Sequence, residues 1–253
     1  MVWSLGLLAT MLLPLFPLSW VFNRLLTRLP GGWPQAVAVL VLPQAGLALL
    51  RFSALAHSLP PAWHFYGSLW AVFSSLLYAF RALTAREVGI WTRLLVSSGL
   101  ALVWLAWWSG VPLITLQVFA LAWSLPAALL LLLAAALTRR TGGAYLGLQG
   151  GLVEALPRLS AGLTLCALAL LGTPLFPAFF ALWRSLRQLP LAWVPLLLPL
   201  PLLWGWATGR FFQDLLYGDF RGEPMTDLGR GAFVLIGLVL FASLFLNLVG
   251  GGL

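Results

Sequence analysis

Few side chains in this 253-residue sequence can do chemistry. Six are acidic (Glu87, Glu154, Asp214, Asp219, Glu223 and Asp227), two are histidines, and one is a cysteine. The carboxylates are scattered, so none are paired for acid–base work at one depth. His57 and His64 flank the loop LPPAWH. They can sense pH, or ligate a metal if brought together, but two ligands alone make a poor metal site. Surface histidines are the plainer reading. Cys166 lies in an apolar run, has no partner for an internal disulfide, and reads as core packing. No phosphate loop, dinucleotide glycine pattern, HExxH or CxxC occurs. The glycine-rich RTGGAYLGLQGG lacks the lysine of a phosphate cradle. No catalytic set, cofactor site or metal site is expected.

The spacing of the remaining charges suggests pairings. Arg210 and Asp214 are four apart and can meet on one helix face. Asp214 is the acidic residue nearest a span interior, with an interfacial salt bridge as its plainer role. Glu154 and Arg158 are also four apart, but Pro157 intervenes, so the pair straddles a helix start. Glu87 stands with Arg86 and Arg93 and can either pass a proton inward or neutralise its neighbours. Arg51 can meet a partner's carboxylate, or snorkel to the interface. Gln44, Gln117, Ser97 and Ser98 are neutral polar groups in apolar surroundings.

The elements that position these groups follow from composition. The chain is 62% hydrophobic and 8% charged, with mean hydropathy +1.00. A soluble domain is about 25% charged. So few charges cannot cover a water-facing surface, which excludes a soluble enzyme. Runs such as LPAALLLLLAAAL are continuous rather than alternating, so spanning helices are expected and a β-barrel is not. A span needs about 20 residues. Eight are predicted, at about 2–23, 34–56, 62–82, 92–109, 112–138, 159–187, 190–213 and 228–249, all in one transmembrane domain covering 1–253. The start of the chain lacks the basic residues of a signal peptide and is read as the first span. Gly172-Thr173-Pro174 and Pro177 interrupt the sixth span, which is broken or steeply tilted. Pro14 and Pro17 interrupt the first, Pro43 the second and Pro126 the fifth, while Pro195, Pro199 and Pro201 crowd the seventh.

The net charge of +8 comes from 14 arginines without a single lysine. They lie between apolar runs, which speaks for a membrane face and against nucleic acid. One side collects Arg24, Arg28, Arg81, Arg86, Arg93, Arg139, Arg140, Arg158, Arg210, Arg221 and Arg230, and the other only Arg51, Arg184 and Arg187. The first side is expected to be cytoplasmic, which puts both termini in the periplasm of a bacterial inner membrane. Asp227 precedes the last apolar run and is expected to cap it. Trp3, Trp20, Trp33, Trp63, Trp108 and Trp193 fall near span ends, where amphipathic rings prefer to sit.

Several stretches, in order, resemble the antiporter-like, proton-translocating membrane subunits of respiratory complex I. That family includes subunits of multisubunit cation/proton antiporters, membrane-bound hydrogenases and inorganic-carbon uptake systems. PLFPLS (14–19) is similar to its proline-x-x-proline-leucine-histidine turn. Pro30 with AVAVLVLPQAGLALLRFS is similar to its broken helix ending in leucine-leucine-arginine. FRALTAREVGIWTRLLVSSGL, VFALAWSLPAALLLL, GGLVEALPRLSAGLTLCALALLGTPLFPAFFALW, RFFQDLLYG and MTDLGRGAFVLIGLVLF follow in the family's order. The resemblance implies the antiporter-like helical fold. It covers roughly the later ten spans of a fourteen-span pattern, so an N-terminally truncated member is expected.

The resemblance also implies a mid-membrane row of titratable groups, and here the chain departs from it. The lysine before the first proline turn is Leu12, and the histidine after it is Ser19. The lysine of the broken helix is Pro43, the loop-helix lysine falls near Glu87, the next helix's histidine is Trp123, and the acidic residue after the glycine-proline break is Leu182. Ionisable groups in lipid are costly and persist where they work. Leucine, proline and tryptophan do not titrate. The expectation is a degenerate accessory subunit, not catalytic by itself, held among other membrane or peripheral subunits of a gradient-coupled complex. An inorganic-carbon uptake system is favoured over a complex I-like or hydrogenase assembly. An autonomous transporter would have to use Gln44, Gln117, Ser97, Ser98 and the Arg210–Asp214 pair. A lipid-acting membrane enzyme would need acid, base or metal ligands clustered at one depth.

Overall fold

A computed structural model of the protein describes residues 2–53, 60–147, 150–218, 220 and 225–250. His57, Asp219, Arg221 and Glu223 lie outside the described residues. Helices α1 (Val2–Leu12), α2 (Ser19–Arg28), α3 (Gly32–Ser53), α4 (Pro61–Ala82), α5 (Val88–Trp108) and α6 (Leu113–Thr141) form the first part of the bundle. They are followed by α7 (Leu152–Ala155), α8 (Pro157–Leu171), α9 (Pro177–Arg187), a 3-10 turn (Leu191–Trp193), α10 (Val194–Leu197), α11 (Pro199–Leu215) and α12 (Arg230–Gly250). Among the described residues there is no strand, only an isolated bridge between Glu87 and Tyr145.

By length and composition, Gly32–Phe52, Val88–Trp108, Leu113–Thr141 and Leu191–Leu215 can each cross a bilayer, and Pro157–Leu171 and Arg230–Phe245 are shorter apolar helices. α5 is the most enclosed, with buried residues from Val88 through Ala106, because α4 and α6 pack along it. The outer helices turn apolar side chains outward, among them Ile114, Leu202 and Phe241, as a lipid-facing bundle requires.

The first predicted span is two helices, α1 and α2, separated at Leu13–Leu18, and the second runs on to Arg28. Proline explains the break: Pro14 and Pro17 remove two amide donors within four residues, and the Phe16–Pro17 peptide is cis. The sixth predicted span is also two helices, α8 and α9. Gly172 at φ 72° ends α8 in the left-handed conformation that glycine tolerates, and Pro177 opens α9. Pro43 and Pro126, expected as interruptions, instead sit inside the continuous helices α3 and α6. Each removes one donor without a second proline nearby, and the helix carries through. The seventh predicted span does begin in short pieces around Pro195, Pro199 and Pro201 before α11 runs straight on.

Asp227 was expected to cap the last helix, but it caps a different one. Its carboxylate accepts the amides of Arg158 (2.8 Å), Leu159 (3.1 Å) and Leu228 (2.6 Å). Arg158 and Leu159 are in the first turn of α8, whose own cap position is the apolar Leu156. An apolar cap residue leaves those first-turn donors without a local acceptor, and the loop before α12 supplies one from 69 residues away. Arg158 and Arg140 fasten the same loop by donating to the carbonyls of Leu228 (3.0 Å) and Thr226 (2.8 Å).

Partial burial alone would raise the Asp227 pKa. The three amides and the Arg158 charge outweigh it and hold the carboxyl below the usual aspartate range. The stabilisation is therefore full above an ordinary aspartate pKa of about 3.9 and fades as pH falls through the lowered value. Asp227→Ala should cost about 1 kcal/mol, seen as a melting shift of about 2–4 °C at neutral pH in detergent. The difference from wild type should shrink under strongly acid conditions.

Candidate functional site: a basic cavity leading to a buried hydroxyl line

The break between α1 and α2 leaves backbone polar groups that their own helices do not satisfy. Neighbouring helices do so. Trp104 of α5 donates its indole N–H to the Leu13 carbonyl at 3.1 Å. Trp70 of α4 donates to the Phe16 carbonyl, and the Phe16 amide donates to Ser74 Oγ at 3.2 Å. α2 then begins at Ser19, which is fully buried and shares a hydrogen bond with the Tyr78 hydroxyl of α4.

Next to this break lies a cavity of about 330 Å³ between α2, α4 and α5. Its polar lining is Asn23, Thr27, Tyr78, Arg81 and Arg93, and its apolar wall is Phe16, Pro17, Trp20, Ile90 and Leu94. The polar groups continue inward. The Asn23 amide donates to Ser97 Oγ (3.2 Å) and to the Ser19 carbonyl (3.1 Å). Beside Ser97, Ser98 and Ser75 cross-link α5 and α4 reciprocally, each hydroxyl donating to the other's carbonyl at 2.8 Å. Trp204 of α11 donates to Ser98 Oγ at 2.8 Å. The line then meets aromatic carbon: the Trp204 and Trp123 rings lie 4.9 Å apart, and Trp123 is fully buried with no hydrogen-bond partner for its Nε1 among the described residues.

The expected site residues fall in several places. The Gln44 side-chain amide donates to the Gln117 backbone carbonyl at 3.0 Å and joins α3 to α6. Arg51 is exposed at the end of α3. Glu87 is the residue before α5, where the Arg86–Val88 backbone pairs with Ala144–Leu146. Arg93 lines the cavity. Glu154 is exposed in α7 and Arg158 starts α8, so the two do straddle a helix boundary, and Arg158 turns to Leu228. The expected Arg210–Asp214 pairing is replaced by another bond: exposed Arg210 donates to the Leu83 carbonyl at 2.8 Å, which ties α11 to the end of α4. Asp214 is half-buried near the end of α11, and its carbonyl accepts the Gly147 amide. His64 contacts Trp108, with its Nδ1 3.2 Å from that residue's carbonyl.

Of the positions where titratable groups were expected and are missing, Leu12 ends α1, Ser19 opens α2, and Pro43 is buried inside α3. Trp123 lies between the Gly99 backbone and the α8–α9 break at Gly172. Leu182 shares an apolar cavity with Trp204. Sequence reading missed Asn23 and Tyr78. The signal was there as helical spacing: Ser19 and Asn23 are four apart, as are Ser74 and Tyr78, with Arg81 three further on. It also assigned no hydrogen-bonding role to Trp91, Trp104 and Trp204, which with Trp123 are fully buried and were not among the six tryptophans expected near span ends. Trp91 donates to the Ala207 carbonyl at 3.2 Å and stacks on Phe211.

No protein-family model and no curated protein matches the sequence. Solved structures do match. A chain of respiratory complex I from Thermus thermophilus with bound NADH superposes with a TM-score of 0.82 at 21% identity, over 97% of this chain and 54% of that one. A chain of the Mrp complex from Dietzia sp. DQ12-45-1b superposes with a TM-score of 0.78 at 15% identity, over 99% of this chain and 55% of that one. The fold is therefore that of the antiporter-like membrane subunits, as the sequence resemblance implied. The protein spans about half the length of the chains it matches.

The packing of Trp123 yields a test. A Cβ added at Gly99 would come within 2.3 Å of the Trp123 ring. Gly99→Ala should destabilise the fold by about 1–3 kcal/mol, measured as loss of thermal stability in detergent. In a Trp123→Leu background the same methyl should cost much less.

Proposed function

We propose that this chain is an accessory, proton-inert antiporter-like membrane subunit of a larger ion-gradient-coupled complex. The observation that carries the reading is the chemistry of the bundle centre. Leu12, Ser19, Pro43, Trp123 and Leu182 stand where the resembled family keeps groups that titrate, and Trp123 is fully buried among packed helices. A side chain that neither gains nor loses a proton cannot gate or couple a proton route. What remains is a scaffold with the shape of a transport subunit, whose role is to pack against an intact transport subunit or a peripheral partner.

In this reading the chain crosses a bacterial inner membrane eight times, with the two broken helices counted as one span each. Its arginine-rich end faces the cytoplasm and both termini face the periplasm. The hydrogen bonds from Arg140, Arg158 and Arg210 to the loops at Thr226, Leu228 and Leu83 support gathering those arginines at one end. The complex is an inorganic-carbon (bicarbonate or CO2) uptake system, with a complex I-like or hydrogenase assembly as the alternative. The partners are other subunits of that complex.

A second reading, an autonomous proton or cation transporter, is favoured by the Tyr78–Ser19 and Asn23–Ser97 hydrogen bonds next to the cavity, since hydroxyls can relay protons without storing them. Three measurements separate the readings. Purified in mild detergent, the tagged chain should bring a stable partner with it. Reconstituted alone in vesicles, it should pass no more protons than empty vesicles, and Asp214→Asn should leave flux through the assembled complex unchanged. Flux through the lone chain that Tyr78→Phe or Ser97→Ala abolishes would establish the second reading instead.

A further inference from the structure

The arginines of the described residues include some tied to loops and some that line the cavity. Arg140, Arg158 and Arg210 are engaged, each donating to a loop carbonyl. Arg81 and Arg93, which line the cavity, have no hydrogen bond or ion pair from their guanidinium groups among the described residues, and no lining residue is acidic. Glu87, six residues before Arg93, offsets part of one charge from outside the lining. Around the corner, Arg24 lies over the Trp20 ring at 4.8 Å, and Arg24 and Arg28 edge an adjoining shallow cavity that shares Trp20, Asn23 and Thr27.

Two guanidinium groups in a partly enclosed space, free of hydrogen bonds and ion pairs among the described residues, are offset only in part, by Glu87 acting on Arg93 from outside the lining. Guanidinium forks match the oxygens of a phosphate better than any point cation does. Asn23, Thr27 and Tyr78 add neutral donors on the same wall. The opposite wall is apolar, and it opens past Trp20, which is 60% exposed, and Ile90 onto the outward surface of the bundle. The volume falls in the roughly 300–1,000 Å³ range of small-molecule sites. An anionic head beside an apolar stem, reached from the side of a bundle, is the chemistry of a phospholipid. Basic pockets between helices at a membrane interface suit such headgroups.

From this geometry we infer that the cavity between α2, α4 and α5 binds the phosphate of an anionic phospholipid headgroup, with Arg81 and Arg93 as its principal ligands and Trp20, Ile90 and Leu94 against its glycerol and upper acyl chain. A free phosphate ion has the same anionic chemistry but makes no use of the apolar wall.

The test is native mass spectrometry of the full chain, released from vesicles containing equal phosphatidylglycerol and phosphatidylcholine. Wild type should retain phosphatidylglycerol over phosphatidylcholine by roughly tenfold or more. Arg81→Gln with Arg93→Gln should abolish the preference. Arg81→Lys with Arg93→Lys should restore part of it, which excludes misfolding as the cause, and Arg139→Gln, on an exposed arginine outside the cavity, should behave as wild type. Equal retention by wild type and the double glutamine variant would overturn the inference. So would displacement of phosphatidylglycerol by inorganic phosphate alone, which would make this a free-anion site. Failure of the assembled complex to exchange this lipid, because a partner's carboxylate fills the cavity, would overturn it too.

Discussion

The constraint on which the rest of this structure depends is hydrogen bonding of backbone exposed by broken helices inside an apolar bundle. A continuous helix satisfies its own peptide groups, whereas a break in the middle of lipid leaves several without water to turn to. At the α1–α2 break the missing partners are Trp104, Trp70 and Ser74, each reaching in from a different turn of a neighbouring helix. At the α8–α9 break the chain closes on itself: the Thr173 hydroxyl and amide both donate to the Leu168 carbonyl, and Gly172 takes the left-handed turn. Fold and breaks are interdependent, since α4 and α5 must pack where they do for α1 and α2 to be separate helices.

The same constraint accounts for the unusual use of tryptophan. Indole carries a large apolar body and a single donor that cannot titrate. Trp91, Trp104 and Trp204 use that donor on Ala207, Leu13 and Ser98, binding helices distant in sequence while filling the space between them. Among the described residues, Arg140, Arg158 and Arg210 tie loops through carbonyls, and Arg81 and Arg93 line the cavity beside α2. Asp227 shows the same economy, one carboxylate holding the start of α8 and the approach to α12 at once.

Composition alone determined that the chain is a helical membrane bundle. Low charge and continuous apolar runs leave no other way to hide the backbone, and the helix positions followed to within a few residues for α3, α4, α5 and α12. The breaks were legible where two prolines, or glycine with proline, fell close together, because local chemistry suffices to end a helix there. Pro43 and Pro126 misled because a lone proline removes one bond, and whether the helix survives depends on neighbours the sequence does not display. Asp227 misled for a related reason: proximity along the chain pointed to α12, while the amides in need of an acceptor belonged to α8. The exchange of an Arg210–Asp214 pair for the Arg210–Leu83 bond, the meeting of Ser19 with Tyr78 and of Asn23 with Ser97, and the gathering of Arg81 and Arg93 around one cavity were decided only by tertiary structure. Each depends on the relative rotation of two packed helices, and helical spacing says which residues share a face but not which face of another helix lies opposite.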